Sequence, residues 1–433
     1  MHQTDPSPST PRGGPTRPAE RVLVLDVLRG FAILGILLVN APLFFVPLWS
    51  DVVGVSGGNA LDQIASLATA ALAEGKFFTL FSLLFGVGAA MQMRRAHERG
   101  RRFAPFFLRR LAILAAIGAA HAFLFWWGDI LLYYAVLGLV LVPFARTSVK
   151  RAVRWAIAAA VVPLVINAGL FGLTSLAAFD EQAAAALAAD TAARIADAEA
   201  GSTAALAAYA GNDLGPMIAV RAQEWSFATT GLVLNGMVFL IVAMFLIGVA
   251  AGKAGLLEDL ERHAATLRRT RAVGFLVGIP ATAVWLIAQP PDVFTFDAGT
   301  LISTLGFVVG APFLSVAYAA SVALATRAPA WHRRLAPLGA LGRVALSAYL
   351  MQSLVMTTLA LGYGAGLYGQ VGHAAASAMA VALLLLQIPL AVWWTRRFRF
   401  GPAEWLWRSL TYLRPQPMRR GYDDVAAAPQ PPA

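Results

Sequence analysis

The 433-residue sequence predicts an all-α polytopic membrane protein, a bundle of about ten transmembrane helices with both termini in the cytoplasm. Three observations carry that reading. Apolar stretches recur at roughly the 20-residue length a helix needs to cross a bilayer. Charged residues make up 13% of the chain and hydrophobic ones 58%, whereas a soluble domain has about 25% and about 45–50%. Arginine clusters fill alternate connections between the apolar stretches, the pattern that encodes orientation in a membrane. Together these exclude a soluble enzyme and a disordered protein. The lack of cysteine excludes disulfides, thiolate catalysis and thiolate metal sites. Runs of this length also exclude barrel strands, which leaves helices as the spanning element. The net charge of +11 does not indicate nucleic acid, because the arginines are spread over the loops.

Taken in order, residues 1–20 are rich in Pro, Ser, Thr and Gly without an apolar core and read as a disordered cytoplasmic tail. The transmembrane domain covers 21–413, and 414–433 form a second disordered tail. Spans are expected at 22–48, 76–94, 104–126, 128–146, 152–178, 226–252, 270–288, 300–325, 338–361 and 374–395. Arg94, Arg95, Arg99, Arg101, Arg102, Arg109 and Arg110 stand between the second and third. Arg146, Lys150, Arg151 and Arg154 follow the fourth, Lys253, Arg262, Arg268, Arg269 and Arg271 the sixth, and Arg327, Arg333, Arg334 and Arg343 precede the ninth. Arg396, Arg397, Arg399 and Arg408 follow the tenth. The opposite connections hold acids: Asp51 and Asp62, then Asp180, Glu181, Asp190, Asp197 and Glu199, then Asp292 and Asp297. The Ala-rich segment 179–225 is expected to form an extracytoplasmic helical excursion, a solvated linker being the alternative. Segment 58–74 reads as an interfacial helix, with Leu61, Ile64, Ala65, Ala68 and Leu72 on one side. No internal repeat supports an inverted-repeat transporter.

Ionisable side chains at membrane depth are costly, so each needs a partner or a task. On the first span Asp26 and Arg29 are three residues apart and face each other on a helix. Asn40 returns to nearly the same face roughly 16 Å further along the axis. An anchoring ion pair and a packing amide are the structural alternative. The second cluster is the hairpin AAIGAAHAFLFWWGDILLYYAVLG. His121 sits in the outer half of span three, the turn falls at Trp126 to Gly128, and Asp129 opens span four. An antiparallel hairpin brings the two together, and a carboxylate on an imidazole is the standard arrangement for orienting a general base. The alternative is a satisfied interior histidine beside a helix N-cap. Weaker signals are Glu74 with Lys76, Glu224 with Asn235, Gln352, Gln387, and Glu404 beside Trp405 and Trp407. Walker A, zincin and serine-elbow motifs are absent.

RVLVLDVLRGFAILGILLVNA at the first span is similar to the opening helix of the YeiB-like bacterial membrane proteins. The resemblance continues through EGKFFTLFSLLFGVG, RRL…IG…H…WGDILLYYAVLG, GRVALSAYLMQSLV…GYGAGLYGQ and FRFGPAEWLWRSLTY, so it covers about 21–413. That family resembles, more widely, the transmembrane acyltransferases that include heparan-α-glucosaminide N-acetyltransferase. Their opening pattern maps onto Asp26, Arg29, Gly30, Val39 and Asn40. The resemblance implies that Asn40 lies near the reacting centre and Arg29 near the coenzyme A end. The histidine that follows the asparagine in the lysosomal enzyme is missing, the stretch here being PLFFVPLWSDV, and His121 is the candidate substitute.

The resulting expectation is an integral-membrane acyltransferase of the bacterial plasma (inner) membrane. It would move an acyl group from cytosolic acyl-CoA or acetyl-CoA to an extracytoplasmic sugar, lipid or related acceptor. His121 is the expected base, oriented by Asp129, and Asn40 the oxyanion donor. Arg29 with Asp26, Arg109, Arg110 and Arg343 would hold the nucleotide. The expected partners are the lipid bilayer, acyl-CoA, the acceptor and a second copy in a homodimer, without nucleic acid or metal. The alternative is a transporter or flippase of a small or lipidic solute, or a noncatalytic membrane protein.

Overall fold

The computed structural model describes residues 23–49, 58–290 and 293–420. The tail 1–20, residues 421–433 of the second tail, Asp51 and Asp292 lie outside the described residues. Helices dominate the described residues, apart from an isolated bridge between Phe398 and Arg419. They are α1 (Leu23–Asn40), α2 (Ala60–Leu72), α3 (Lys76–Glu98), α4 (Phe103–Leu124), α5 (Leu131–Leu137), α6 (Val149–Ala177), α7 (Glu181–Ala210) and α8 (Leu214–Leu234). There follow α9 (Met237–Lys253), α10 (Ala264–Ile287), α11 (Ala298–Ala325), α12 (Pro329–Arg343), α13 (Ala345–Ala360), α14 (His373–Arg397) and α15 (Pro402–Tyr412).

Polar residues at the helix starts fix where the helices begin. Asn59 and Asp297 form capping boxes on α2 and α11, and Ser148, Asp180 and Asp213 accept backbone N–H groups at the starts of α6, α7 and α8. Segment 58–74 does contain an amphipathic helix, α2, whose Leu61, Ile64, Leu67 and Leu72 are exposed. The 179–225 segment is helical as well, through α7 and the first half of α8.

Lipid gives helices no hydrophobic reason to associate, so close approach of small residues has to supply the contact. Two crossings at the centre depend on it. A Cβ on Gly86 of α3 would lie 2.0 Å from the Phe245 carbonyl oxygen of α9, and one on Gly248 of α9 2.0 Å from that of Leu83. At the α1–α12 crossing, a Cβ on Gly30 would meet the Leu338 oxygen at 2.0 Å and one on Gly342 the Asp26 oxygen at 1.8 Å. Leu28, Ile33, Leu80, Leu111 and Phe245 fill the core around these crossings.

Among the described residues, seven helices are long and apolar enough to cross a membrane, or up to nine spans if each bent pair counts as one. The sixth predicted stretch, 226–252, falls on the pair α8–α9, bent by 72° at Asn235–Gly236, where Gly236 takes a positive φ of 71° that a side chain would resist. The ninth, 338–361, falls on α12–α13, bent by 75° at Val344. The fourth predicted stretch, 128–146, falls short of a full span. Its helix runs only from Leu131 to Leu141, and Pro143 starts a separate 3-10 turn.

Candidate functional site

The hairpin between α4 and α5 brings His121 and Asp129 into contact. Gly118 permits it: a Cβ there would lie 2.5 Å from Leu132 N and 2.9 Å from Asp129 Oδ1. His121 Nδ1 is 2.8 Å from Asp129 Oδ2, and both side chains are almost wholly buried. Asp129 Oδ1 also accepts from the Leu132 N–H at 2.7 Å. The contact expected of the hairpin is thus present through one oxygen, and the other accepts a backbone N–H at the start of α5. With Nδ1–H donating to the carboxylate, the lone pair lies on Nε2, which is buried and has no hydrogen-bond partner among the described residues. The Tyr349 ring lies 5.0 Å from the imidazole, centroid to centroid, and its hydroxyl is 3.4 Å from the Gly128 carbonyl.

A second group of residues surrounds a cavity of about 200 Å³ at the arginine-rich end of the bundle. Arg29, Arg110, Arg343 and Arg408 line it with Gln92 and Glu404. Its apolar wall includes Phe81, Phe85, Tyr134 and Tyr349. Arg29 Nη1 is 3.1 Å from Asp26 Oδ1, the ion pair expected from their spacing. Arg110 lies over the Trp407 ring at 3.9 Å, and Arg343 donates to Thr395 Oγ1 at 2.8 Å. Glu404 accepts from Leu346 N, Ser347 N and Ser347 Oγ at 2.6, 3.2 and 2.5 Å, which caps the start of α13 just beyond the break. Burial pushes the Glu404 carboxyl above its ordinary range, partly offset by those hydrogen bonds.

A third feature is an apolar groove of about 650 Å³ between α4, α13, α14 and the start of α15, lined by His121, Phe125, Met351, Gln387, Leu390 and Trp394. On α13 the cavity touches Ala345, Leu346 and Tyr349, and the groove touches Ser347, Met351 and Leu354. At about 100° per residue these two sets lie on opposite faces of the helix. The expected site residues are thus divided. Arg29, Arg110 and Arg343 share the cavity, and Asp26 pairs with Arg29. His121 borders the groove, and its ring contact with Tyr349 links it to the cavity. Asn40, half-buried at the end of α1, and Arg109 line neither space.

Sequence reasoning gave Arg408 only a part in orientation, missed Gln92 and Tyr349, and gave Glu404 no role. It also missed Arg221. That side chain is 2% exposed and donates to the Leu124 carbonyl at 2.7 Å, one turn from Glu224, which accepts from Tyr209 at 2.5 Å. The aromatic and acid signals were visible, but the chain contacts that collect them were not. Among the described residues no group of three or more His, Asp or Glu side chains is placed to hold a metal ion.

Residues 251–414 match the family described as a protein of unknown function (DUF418). The whole chain is similar to the uncharacterized protein YxaH of Bacillus subtilis (strain 168), 34% identical over 94% of this chain and 98% of that protein. It is also similar to the uncharacterized protein YeiB of Escherichia coli (strain K12), 29% identical over 90% of this chain and 96% of that protein. An uncharacterized 39.9 kDa protein in the amylase 3' region of Bacillus acidopullulyticus is 26% identical over 92% and 96% respectively. No solved structure gives a significant match.

Proposed function

The chain belongs to the YeiB-like DUF418 family of membrane proteins, and from that premise we propose that it is an integral-membrane acyltransferase using a cytosolic acyl-CoA. The observation that carries the reading is the buried imidazole: Nδ1 held by Asp129, Nε2 unpartnered, and the ring against Tyr349, itself a wall of the arginine cavity. A lone interior histidine kept for packing gains nothing from an unpartnered nitrogen, which is costly to bury.

The residues of the cavity fit the donor's chemistry. The four guanidiniums suit phosphate groups, because each presents a planar fork of donors. The aromatic wall suits the less polar arm. The volume accommodates part of such a molecule, leaving the nucleotide at the arginine-rich mouth. That end belongs in the cytoplasm if the arginine-rich loops obey the positive-inside bias, which places the cavity on the side where acyl-CoA is found.

In the reaction an acceptor hydroxyl or amine attacks the thioester carbonyl, a C–O or C–N bond forms, and the C–S bond breaks. His121 Nε2 takes the acceptor's proton and returns it to the departing sulfur, and Asp129 stabilises the imidazolium between the two transfers. The Tyr349 ring stands between the cavity and the imidazole, so it has to turn aside for the thioester to reach Nε2. Asn40 remains the candidate oxyanion donor implied by the resemblance, and its approach to the imidazole requires movement at the end of α1. The acceptor class is an extracytoplasmic sugar or lipid, and the membrane is the bacterial plasma membrane.

The test is calorimetric titration of the purified protein with acetyl-CoA, followed by transfer of labelled acetyl groups to bacterial lipid and sugar extracts. Saturable binding with transfer supports the proposal. Absence of binding, together with solute flux across liposomes, supports the transporter reading instead.

A further inference from the structure

Where the candidate site's groove reaches the arginine-rich end, α14 carries two apolar spaces that meet at one residue. On one side an open cleft of about 620 Å³ runs between α12 and α14, past Pro337, Pro389 and Val392. On the other lies the inner part of the groove, past Leu390, Trp394 and Leu406. Trp393 borders both. Arg396 and Arg397, one turn further on, close the cleft at the arginine-rich end of the helix. Both arginines are exposed, and among the described residues no carboxylate forms a salt bridge with either. Arg397 lies over the Trp393 ring at 4.6 Å.

We infer that this is a binding site for a two-chain anionic phospholipid of the leaflet on the arginine-rich side. One chain lies in the cleft and one in the groove, astride Trp393, and the phosphate meets Arg396 and Arg397. Three features select that occupant. The two apolar channels converge on a single point, as two acyl chains converge on one headgroup. Two exposed guanidiniums without an acidic partner at that point complement a negative headgroup, and basic pockets between spanning helices on the cytoplasmic side recognise such lipids. A tryptophan beside them places the convergence at headgroup level, where this side chain concentrates. The groove also borders His121, but the test is separable from the acyltransferase reading, since neither arginine lines the cavity and no turnover is read.

The experiment uses the full chain in phosphatidylcholine vesicles doped with chain-brominated phosphatidylglycerol or chain-brominated phosphatidylcholine. The readout is tryptophan fluorescence, and the Trp393 component is the difference between wild type and Trp393→Phe. That component should be quenched at a mole fraction of phosphatidylglycerol roughly 30-fold lower than of phosphatidylcholine, about fivefold for each arginine. The Arg396→Gln/Arg397→Gln pair, exposed and so tolerated by the fold, should bring the two quenching curves together. Native mass spectrometry should show phosphatidylglycerol retained by the wild type and lost by that variant. Coincident curves in the wild type overturn the inference, as does a preference that survives in the double variant. A preference abolished by water-soluble glycerol phosphate also overturns it, because the site would then hold an anion without a lipid.

Discussion

Replacing Asp129 by asparagine separates the two tasks of that side chain. In the wild type Oδ2 accepts from His121 Nδ1 at 2.8 Å and Oδ1 accepts from Leu132 N–H at 2.7 Å, so both positions demand an acceptor. Asparagine offers one acceptor oxygen and one NH2 donor. With the oxygen on Leu132, the NH2 faces Nδ1, which must then accept. The imidazole proton moves to Nε2, the atom that has to take a proton from the acceptor. With the oxygen on His121, the NH2 opposes a backbone N–H and the cap is lost, at about 1 kcal/mol. Either arrangement forfeits a charge-assisted hydrogen bond worth about 1.5–3 kcal/mol. Acyl transfer should fall by ~10²–10⁴-fold, the usual contribution of a positioned base. Coenzyme A affinity should not change, because Asp129 does not line the arginine cavity. The assay is acetyl transfer by proteoliposomes, with binding measured on the same preparation. Turnover by Asp129→Asn within a fewfold of wild type would refute the reasoning.

Three further outcomes are expected. Arg110→Ala and Arg343→Ala should each weaken coenzyme A binding ~10-fold by titration, and Arg109→Ala, which does not border the cavity, should leave it unchanged. Gly248→Ala sets a methyl group against the Leu83 backbone and should destabilise the protein by about 1–3 kcal/mol, lowering its melting temperature in detergent. Gly169→Ala, with nothing within 4 Å, should leave the melting temperature unchanged. Burial raises the Glu404 carboxyl, so the folded state holds its proton where the unfolded chain has lost it. Its contribution is complete below the ordinary carboxylate range and is lost as pH rises through the raised value; Glu404→Gln should flatten that decline in melting temperature.

The apolar runs made the membrane fold legible, because span length is a local property of sequence. Local spacing also exposed the Asp26–Arg29 pair, and a short hairpin exposed His121 with Asp129. What spacing could not supply was the company these residues keep. Arg408 and Glu404 line the same cavity as Arg29 from almost the whole length of the chain away, and nothing near either end announces it. The break at Gly236 had a glycine to signal it. The break at Val344 has neither glycine nor proline at its corner, and it is held from outside by Glu404. Helical periodicity placed Asn40 on the face of Arg29, but α1 ends there, and the cavity turns away toward α4, α13 and α15. The 128–146 stretch had the composition of a span without its continuous helix, since Pro143 interrupts the backbone ladder.

The central claim is that one imidazole moves the proton for an acyl group whose carrier is held by the arginine cavity. It is tested most directly by comparing wild-type and His121→Ala proteoliposomes with labelled acetyl-CoA, measuring binding and transfer together. The account predicts that His121→Ala binds acetyl-CoA as tightly as wild type and transfers its acetyl group at least ~10²-fold more slowly. Undiminished transfer by His121→Ala, or no binding of acetyl-CoA to either protein, would contradict it.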